Sequence, residues 1–328
     1  MDNLQKATSR TVHLQNKACM MKLLRTTYLN LLLCLFLLVT IVNGAFAMPK
    51  VKYLAEFKTT NAVCLAFVNG VRVFDSTKAK SGTVSTGYDV AALLENGKND
   101  ISIWFGPIDE NRGTLNFSTP TSCSFTLSAA TEKNTLLLSS VAADADTNSP
   151  LNARRSAYYN GTDLTSAVFE HELSNLPAYE VKRTVTLKEV PKWAWTTATP
   201  FKPTPENMQK LKDAYWDIWM AMDQKDLAKM KELTKITVAE EAEQAGMEPD
   251  AYFNTYSFRQ KFKESKGGLK PDFADFSVRS YCGGRLIRLE NKLGHPPLKL
   301  QLTDDPDGVA YNYMPYLSLV NGKIIISR

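Results

Sequence analysis

The sequence predicts an exported protein with two domains, an all-β sandwich followed by an α+β domain. Three observations lead to this prediction. An apolar leader lies near the start, hydrophobic residues then alternate with a period of two from Val51, and the period changes to 3.6 residues after Pro203. Residues 48–328 are too many for one domain of usual size. The predicted boundaries are 50–198 for the sandwich and 203–328 for the α+β domain.

The leader is the apolar run Leu29–Val42, which lies between basic residues and the small-residue sequence Ala45-Phe46-Ala47. This order is typical of a secretory signal peptide, and we place the cleavage after Ala47. The run is about a dozen residues long, short of the ~20 that a membrane-spanning helix needs, which favours a cleaved signal peptide over the alternative, an uncleaved anchor. The predicted signal peptide is 1–47, or 20/21–47 if translation starts at Met20 or Met21.

Cleavage changes the charge balance of the protein. The whole chain has 39 basic and 34 acidic residues, but the leader carries five of the basic residues and one of the acidic residues. The remaining chain is close to neutral and has no basic excess of the kind that binds nucleic acid. We expect a periplasmic or secreted protein without a stable membrane span after cleavage.

Three cysteines follow the leader: Cys64, Cys123 and Cys282. In an oxidising compartment a bridge between Cys64 and Cys123 closes a loop of about 60 residues, which stabilises the fold by up to roughly 4 kcal/mol in the chain-entropy model. Two buried thiols are the alternative, and the sequence does not separate the two. Cys282 is predicted to be a small buried hydrophobic residue, since neither histidine of the mature chain lies near it.

The strands of the first domain are short and are separated by turn residues. Cys64–Val68 and Val71–Phe74 flank Asn69-Gly70, a strong hairpin signal because both central positions of such a turn need positive φ. Almost no helical pattern interrupts the strands, which is typical of a β-sandwich. Further strands are predicted at 101–105, 114–118, 123–127, 135–141, 167–173 and 179–187, with a long surface loop at 142–156.

Part of this domain resembles a known family. Val68-Asn69-Gly70, Tyr88-Asp89-Val90, Leu93-Leu94 and Gly97–Ile101 follow one another in the order found in the galactose-binding-like jelly roll, an accessory domain of many glycosidases. The resemblance covers residues 68–101 only. It implies a jelly-roll-like sandwich that binds glycans. The alternative explanation is structural, since two tight turns between half-buried strands need these residues in any sandwich.

Two tryptophans precede the connector between the predicted domains. Trp193 and Trp195 stand two apart, so on a strand they share a face. If exposed, they can stack on a sugar ring; if buried, they pack the junction between the domains. The prolines around them indicate a stiff connector.

The α+β domain begins with helices. Thr204 can cap a helix that has Pro205 at its first position, and apolar residues recur from Met208 to Met222 at steps of three and four. The other predicted helices are 227–233 and 237–245, which opens with a Thr237–Glu240 capping box and stops at Gly246. A fourth helix opens at Pro249 and runs through Phe262 to Gly267-Gly268.

Strands return after Gly268 and end in an Asn321-Gly322 hairpin. They are predicted at 276–282, 286–289, 298–302, 311–319 and 323–327. Helices followed by such a meander, with the last hairpin Leu317–Ile326, resemble the nuclear-transport-factor-two-like fold. In that family a long first helix closes a curved antiparallel sheet over a pocket. The resemblance implies an α+β cone, in a family that includes enzymes, ligand binders, dimerisation modules and bacterial immunity proteins.

Neither a catalytic motif nor a cofactor signature occurs in the sequence. His295 lies in a predicted loop, and His171-Glu172 lacks the second histidine of a metalloprotease helix. The acidic run Asp304–Asp307 lacks the remaining ligands of a calcium loop. We therefore predict no catalytic residue, no cofactor and no metal.

Aromatic residues supply the binding candidates. Four aromatic side chains of the second domain lie at helical spacing, and they either line a pocket in the cone or pack its core. Together with the two connector tryptophans, the predicted binding residues are Trp193, Trp195, Trp216, Trp219, Tyr252 and Tyr256.

These patterns favour a non-catalytic exported protein that binds another protein. An immunity or inhibitor role against a secreted toxin that acts in the bacterial envelope fits the leader, the missing catalytic motif and the resemblance of the second domain. The alternative is an envelope protein that binds a carbohydrate or another small molecule, which the jelly-roll resemblance and the connector tryptophans favour. An enzyme that uses the pocket of the cone is the least supported class.

Overall fold

The strands and helices are described by a computed structural model for residues 51–107, 120–145, 164–171, 174–292, 294–303 and 308–328. The predicted signal peptide, the predicted strand 114–118, the part 146–156 of the predicted loop and the acidic run Asp304–Asp307 lie outside these residues. All described residues belong to one compact unit, Val51–Arg328.

The first part of the described chain, Lys52–Leu187, consists of antiparallel strands in two sheets, and we call it the β-sandwich. Its strands are β1 Lys52–Thr60, β2 Ala62–Val68, β3 Val71–Asp75, β4 Val84–Asp89, β5 Gly97–Pro107, β6 Thr121–Ala130, β7 Thr135–Ala145, β8 Leu164–His171 and β9 Ser174–Leu187. The first sheet has the order β4-β1-β6-β7, and the second has the order β3-β2-β5-β9-β8.

Side chains alternate between core and solvent along these strands. In β1, Tyr53, Ala55 and Phe57 are buried, whereas the residues between them are exposed or half-buried. These side chains pack with Phe125 of β6 and Phe105 of β5 in one apolar cluster. Because this cluster takes residues from both sheets, the predicted β-rich packing of the N-terminal part is confirmed.

The Asn69-Gly70 turn joins β2 to β3, as predicted. Both residues have positive φ, 50° and 81°. The Asn69 Nδ2 donates to the carbonyl oxygen of Leu93 at 2.7 Å and to Oδ1 of Asn99 at 2.9 Å, and Asn69 Oδ1 accepts from the amide of Asp100 at 2.9 Å. Residues that carry the jelly-roll resemblance therefore form one hydrogen-bonded unit, which fixes the segment between β4 and β5.

A disulfide joins the two sheets of the β-sandwich. Cys64 lies on β2 and Cys123 on β6, with a Cα–Cα distance of 6.4 Å. The two cysteines are placed at disulfide distance, which agrees with the predicted pairing. Cys282 is free and buried, as predicted.

One prediction for this part of the chain was wrong. The loop predicted from Ala142 begins later, because β7 continues to Ala145 with Ala143 and Ala145 buried. Small alanines fit the core face of a strand, although they carry little strand signal of their own. Trp193 and Trp195 do not lie on a strand: Ala194–Thr197 is a 3-10 turn, and Trp193 precedes it.

The second part, Pro205–Arg328, combines helices with two small antiparallel sheets, and we call it the C-terminal layer. Its helices are α1 Pro205–Asp223, α2 Leu227–Leu233, α3 Lys235–Ala245, α4 Pro249–Thr255 and α5 Phe258–Glu264. Its strands are β10 Ser265–Leu269, β11 Ser277–Tyr281, β12 Leu286–Glu290, β13 Leu298–Leu302, β14 Val309–Tyr313, β15 Leu317–Val320 and β16 Lys323–Ile326. The sheets have the orders β10-β13-β14 and β11-β12-β15-β16.

The core of the C-terminal layer lies between α1 and the strands. Leu211, Tyr215 and Ile218 of α1 are almost completely buried and share an apolar cluster with Leu289 of β12 and Leu300 of β13. Helices packed on antiparallel strands confirm the coarse α+β prediction. The closed cone and the two domain boundaries stay predictions.

Helix starts are partly as predicted. Thr204 caps α1, since its Oγ1 accepts from the amide of Asn207 at 3.3 Å. The Thr237–Glu240 capping box was wrong, because α3 begins at Lys235 directly after α2 and Thr237 is buried inside the helix. The long helix predicted from Pro249 breaks at Ser257, which has a φ of 59°.

Strand ends also differ from the prediction. The single strand predicted at 311–319 is two strands in different sheets, β14 and β15, separated by Met314, Pro315 and Tyr316. Proline has no amide hydrogen to donate, so it favours a break between strands. Among the described helices, none combines the length and apolar character needed to cross a membrane.

The bridge between Cys64 and Cys123 makes the stability of the fold sensitive to reductant. Because it closes a loop of 59 residues, reduction is expected to cost up to about 4 kcal/mol and to lower the unfolding midpoint by roughly 10 °C. Thermal unfolding followed by circular dichroism with and without reductant measures this. The Cys282→Ala variant is the control and should respond to reductant as the parent does; equal midpoints with and without reductant would contradict the pairing.

Candidate functional site

A cavity of about 430 Å³ lies where the β-sandwich meets the C-terminal layer. The β-sandwich contributes residues 88–90, 92 and 93 at the end of β4 and in the following turn, and Trp193 comes from the connector. The C-terminal layer contributes Glu241, Gln244 and Ala245 of α3, together with Tyr252 of α4. Met314, Tyr316 and Arg328 complete the wall.

The β-sandwich side of the cavity is fixed by hydrogen bonds. Asp89 Oδ1 accepts from the amide of Ala91 at 2.8 Å, which starts the 3-10 turn Ala91–Leu93. Asn69 holds the carbonyl of Leu93 from the other side, as described above. This wall therefore keeps its shape without a ligand.

The connector tryptophans seal this side of the cavity. Trp193 is 3% exposed and Trp195 is 0% exposed. The indole nitrogen of Trp193 donates to the carbonyl of Leu94 at 3.0 Å, and that of Trp195 donates to the carbonyl of Ala92 at 2.9 Å. Neither ring is open to stacking by a sugar, so both tryptophans pack the junction, and Trp193 also lines the cavity.

Arg328 lies across the junction. Its Nε donates to the carbonyl of Ala92 at 2.8 Å, its Nη1 pairs with Glu240 Oε2 at 2.6 Å, and its guanidinium lies 4.5 Å from the ring centroid of Trp193. Its Nη2 is buried and has no hydrogen-bond partner among the described residues. The positive charge of Arg328 is therefore committed to Glu240 and to the indole ring.

A second ion pair, next to Trp195, joins the β-sandwich to the C-terminal layer. Both terminal nitrogens of Arg285 pair with the carboxylate of Glu95, one of them at 2.7 Å, and the guanidinium lies 5.2 Å from the ring centroid of Trp195. Nearby, the amide of Cys282 donates to the carbonyl of Asn69 at 3.1 Å. The β-sandwich and the C-terminal layer are thus joined by backbone and side-chain bonds next to the cavity.

Glu241 is a buried carboxyl group on the opposite wall. Burial raises its pKa, while the charge of Arg328 and hydrogen bonds from Tyr256 and Tyr252 lower it; the net direction is upward. The hydroxyl of Tyr256 donates to Glu241 Oε2 at 3.1 Å. Within the described part of the chain, neither Glu241 nor Asp89 has a basic side chain at ion-pair distance.

The structure brings together only some of the predicted binding residues. Trp193 and Tyr252 line the cavity, and Tyr256 binds Glu241 behind it. Trp216 and Trp219 lie on α1, half-buried, with their ring centroids 5.2 Å apart in an edge-to-face contact. They do not line this cavity.

The histidines considered in the sequence analysis do not form a catalytic or metal site among the described residues. His295 is exposed in a loop, and the side chain of His171 lies outside the described part. Among the described residues, no group of three or more His, Cys, Asp or Glu side chains is arranged to hold a metal ion.

Several residues of the site could not be recognised in the sequence. Asp89 is part of a turn motif, and Glu241 follows Glu240 on a helix whose charged residues look solvated. Arg328 gives no signal at all, since its role depends on Trp193 and Glu240, which are far away in the sequence. The usable signals were the connector tryptophans and the aromatic residues at helical spacing that include Tyr252.

Comparison of the chain with protein-family models, with curated proteins and with solved structures found no match. The two resemblances drawn from the sequence therefore stay predictions, and the function has to be argued from the geometry of the site.

The raised pKa of Glu241 makes a prediction about stability. Because the folded pKa exceeds the ordinary value, folding disfavours the ionised form, so stability is lost as pH rises from the ordinary carboxyl range through the folded pKa. Glu241→Gln should therefore raise the unfolding midpoint at pH 8, and the gain should vanish near pH 4. Glu243→Gln, an exposed change on the same helix, is the control. A gain in the unfolding midpoint of Glu241→Gln that grows as pH falls would contradict a raised pKa for Glu241.

Proposed function

We propose that the chain is a binding protein whose cavity, between the β-sandwich and the C-terminal layer, receives a small organic molecule. The observation that carries this proposal is the cavity itself, with a volume of about 430 Å³. Small-molecule sites commonly measure roughly 300–1,000 Å³ and combine apolar or aromatic walls with a few polar groups.

The composition of the walls supports the proposal. Tyr88, Trp193, Tyr252 and Tyr316 supply aromatic surface. Asp89, Glu241, Gln244 and Arg328 are the lining residues with a charged or amide side chain. Such a wall favours an organic ligand with an apolar body and one polar end.

The rim of the cavity supports entry from solvent. Tyr88 is 45% exposed and Met314 is 40% exposed, and both line the cavity. Large apolar side chains that are exposed at a concave surface are typical of a binding site. Their partial exposure leaves apolar surface that a ligand can cover.

The proposal extends to the compartment. The leader pattern and the disulfide between β2 and β6 both fit a chain that folds in an oxidising space, as the periplasm or the exterior of a cell is. This is the alternative function of the sequence analysis, an exported binder of small molecules. Binding to another protein, including a secreted toxin, stays a prediction, and so does binding to a glycan, for which Trp193 and Trp195 offer no exposed ring.

Blocking the cavity tests this function. Ala245 lines the cavity and is exposed on α3, so Ala245→Trp should fill the entrance and weaken binding of the neutral fluorescent probe N-phenyl-1-naphthylamine at least tenfold. Ala239→Trp, on the same helix and equally exposed but away from the cavity, is the matched control.

Fluorescence titration measures both affinities, and thermal unfolding checks that the variants are folded. The proposal expects saturable binding by the parent and by Ala239→Trp. Equal affinities for the two tryptophan variants, or no saturable binding by the parent, would contradict it.

A further inference from the structure

The acidic side chains around the cavity outnumber the basic side chains that could neutralise them. Asp89 and Glu241 are on its wall, and neither has a basic partner at ion-pair distance in the described chain. Arg328 is the cation on the wall, but Glu240 and the ring of Trp193 already engage it. The remaining nitrogen of Arg328, Nη2, has no accessible surface to offer a ligand. Negative charge is therefore left over on the cavity wall.

The carboxyl groups of Asp89 and Glu241 both act on Tyr252. Burial raises the pKa of the Tyr252 hydroxyl, and the charge of Glu241 and, more weakly, that of Asp89 raise it further. Asp89 belongs to the β-sandwich and Glu241 to the C-terminal layer, so the two carboxyl groups approach Tyr252 from different elements. A positive group placed beside Tyr252 would interact with both.

Aromatic rings surround this region. Tyr88, Tyr252 and Tyr316 line the cavity together with Trp193. The negative face of an aromatic ring attracts cations, with a gain of about 0.5–1 kcal/mol at exposed sites and more when the contact is desolvated. Two of these rings already hold cations of the protein, since the guanidinium of Arg288 lies 4.5 Å from the centroid of Tyr316 and that of Arg328 lies 4.5 Å from the centroid of Trp193. The rings of Tyr88 and Tyr252 are therefore the ones left for a positive group of a ligand.

We infer that the ligand of this cavity is an organic cation, an amine or a quaternary ammonium compound with an apolar body. The inference rests on the proposed function and names the class of ligand for that same site. The positive group lies between the carboxylates of Asp89 and Glu241 and against the tyrosine rings, while the apolar body covers the surface near Met314. An anion would instead meet two carboxylates without a free cation.

The first test compares three probes that share one apolar body: 4-phenylbutylamine, 4-phenylbutanol and 4-phenylbutanoic acid. Displacement of N-phenyl-1-naphthylamine at pH 8 measures their affinities. The amine is expected to bind at least tenfold tighter than the alcohol, and the acid more weakly than the alcohol. Equal affinities, or tightest binding by the acid, would overturn the inference.

Variants without the carboxyl charge test whether Asp89 and Glu241 cause the preference for the amine over the alcohol. Glu241→Gln and Asp89→Asn should each weaken binding of the amine about tenfold more than they weaken binding of the alcohol, because the amides keep the shape and lose the charge. The Asn side chain can still accept from the amide of Ala91. Glu243→Gln is the matched control, exposed on α3 and away from the cavity. Loss of alcohol binding together with amine binding would contradict a charge role.

The pH dependence of cation binding tests the role of the Glu241 charge independently. A permanent cation, 4-phenylbutyl-trimethylammonium, should bind more tightly as pH rises above the ordinary carboxyl range, because Glu241 must lose its proton to pair with it. The groups facing Glu241 are Tyr252, Tyr256, Arg328 and Glu240. Because binding is coupled to the loss of one proton from Glu241, the affinity can rise at most tenfold per pH unit. The rise should be absent in Glu241→Gln; the same rise in that variant would overturn the role of Glu241.

The two proposals fail in different ways. If the neutral probe binds and Ala245→Trp blocks it but the amine shows no advantage, the cavity is a binding site and the cation inference is wrong. If the neutral probe and the three phenylbutyl compounds all fail to bind the parent protein, the proposed function itself is wrong.

Discussion

The structure depends most on the burial of two indole rings between its β-sandwich and its C-terminal layer. An indole N–H that is buried without an acceptor destabilises the fold, so carbonyl groups that meet Trp193 and Trp195 favour their burial. Leu94 and Ala92 provide these carbonyls, and Arg328 and Arg285 cover the rings. The segment between β4 and β5 is therefore held against the connector, and residues of this segment and of α3 line the cavity.

The charged side chains at the cavity determine which ligands it can bind. Glu240 neutralises Arg328, whereas Glu241, the next residue on α3, is left with tyrosine hydroxyls as its hydrogen-bond partners. Two neighbouring carboxyl groups thus have different roles: one closes the junction and the other faces the cavity. Charge that is left without a counterion inside the fold is costly, and such groups are frequent at binding sites.

The local patterns of the sequence predicted more of the fold than of the site. The Asn69-Gly70 hairpin, the Thr204 cap and the alternation along β1 are determined by neighbours in the chain, and each was predictable. Arg328 contacts Ala92 and Glu240 across 236 and 88 residues, and no local period encodes such pairs. The Thr237–Glu240 capping box failed for the same reason, because tertiary contacts, including the bond from Arg328, decide what Glu240 does.

Hydrogen exchange at the junction tests the central claim most directly, since the cavity needs the two parts to stay joined. The Trp195 indole N–H and the Cys282 amide, which donates to Asn69, should exchange as slowly as the central amides of β5. Slow exchange at all three places would show that the junction opens only when the whole fold unfolds. Fast exchange of the Trp195 and Cys282 hydrogens while β5 stays protected would show that the two parts separate freely, and it would contradict a preformed cavity.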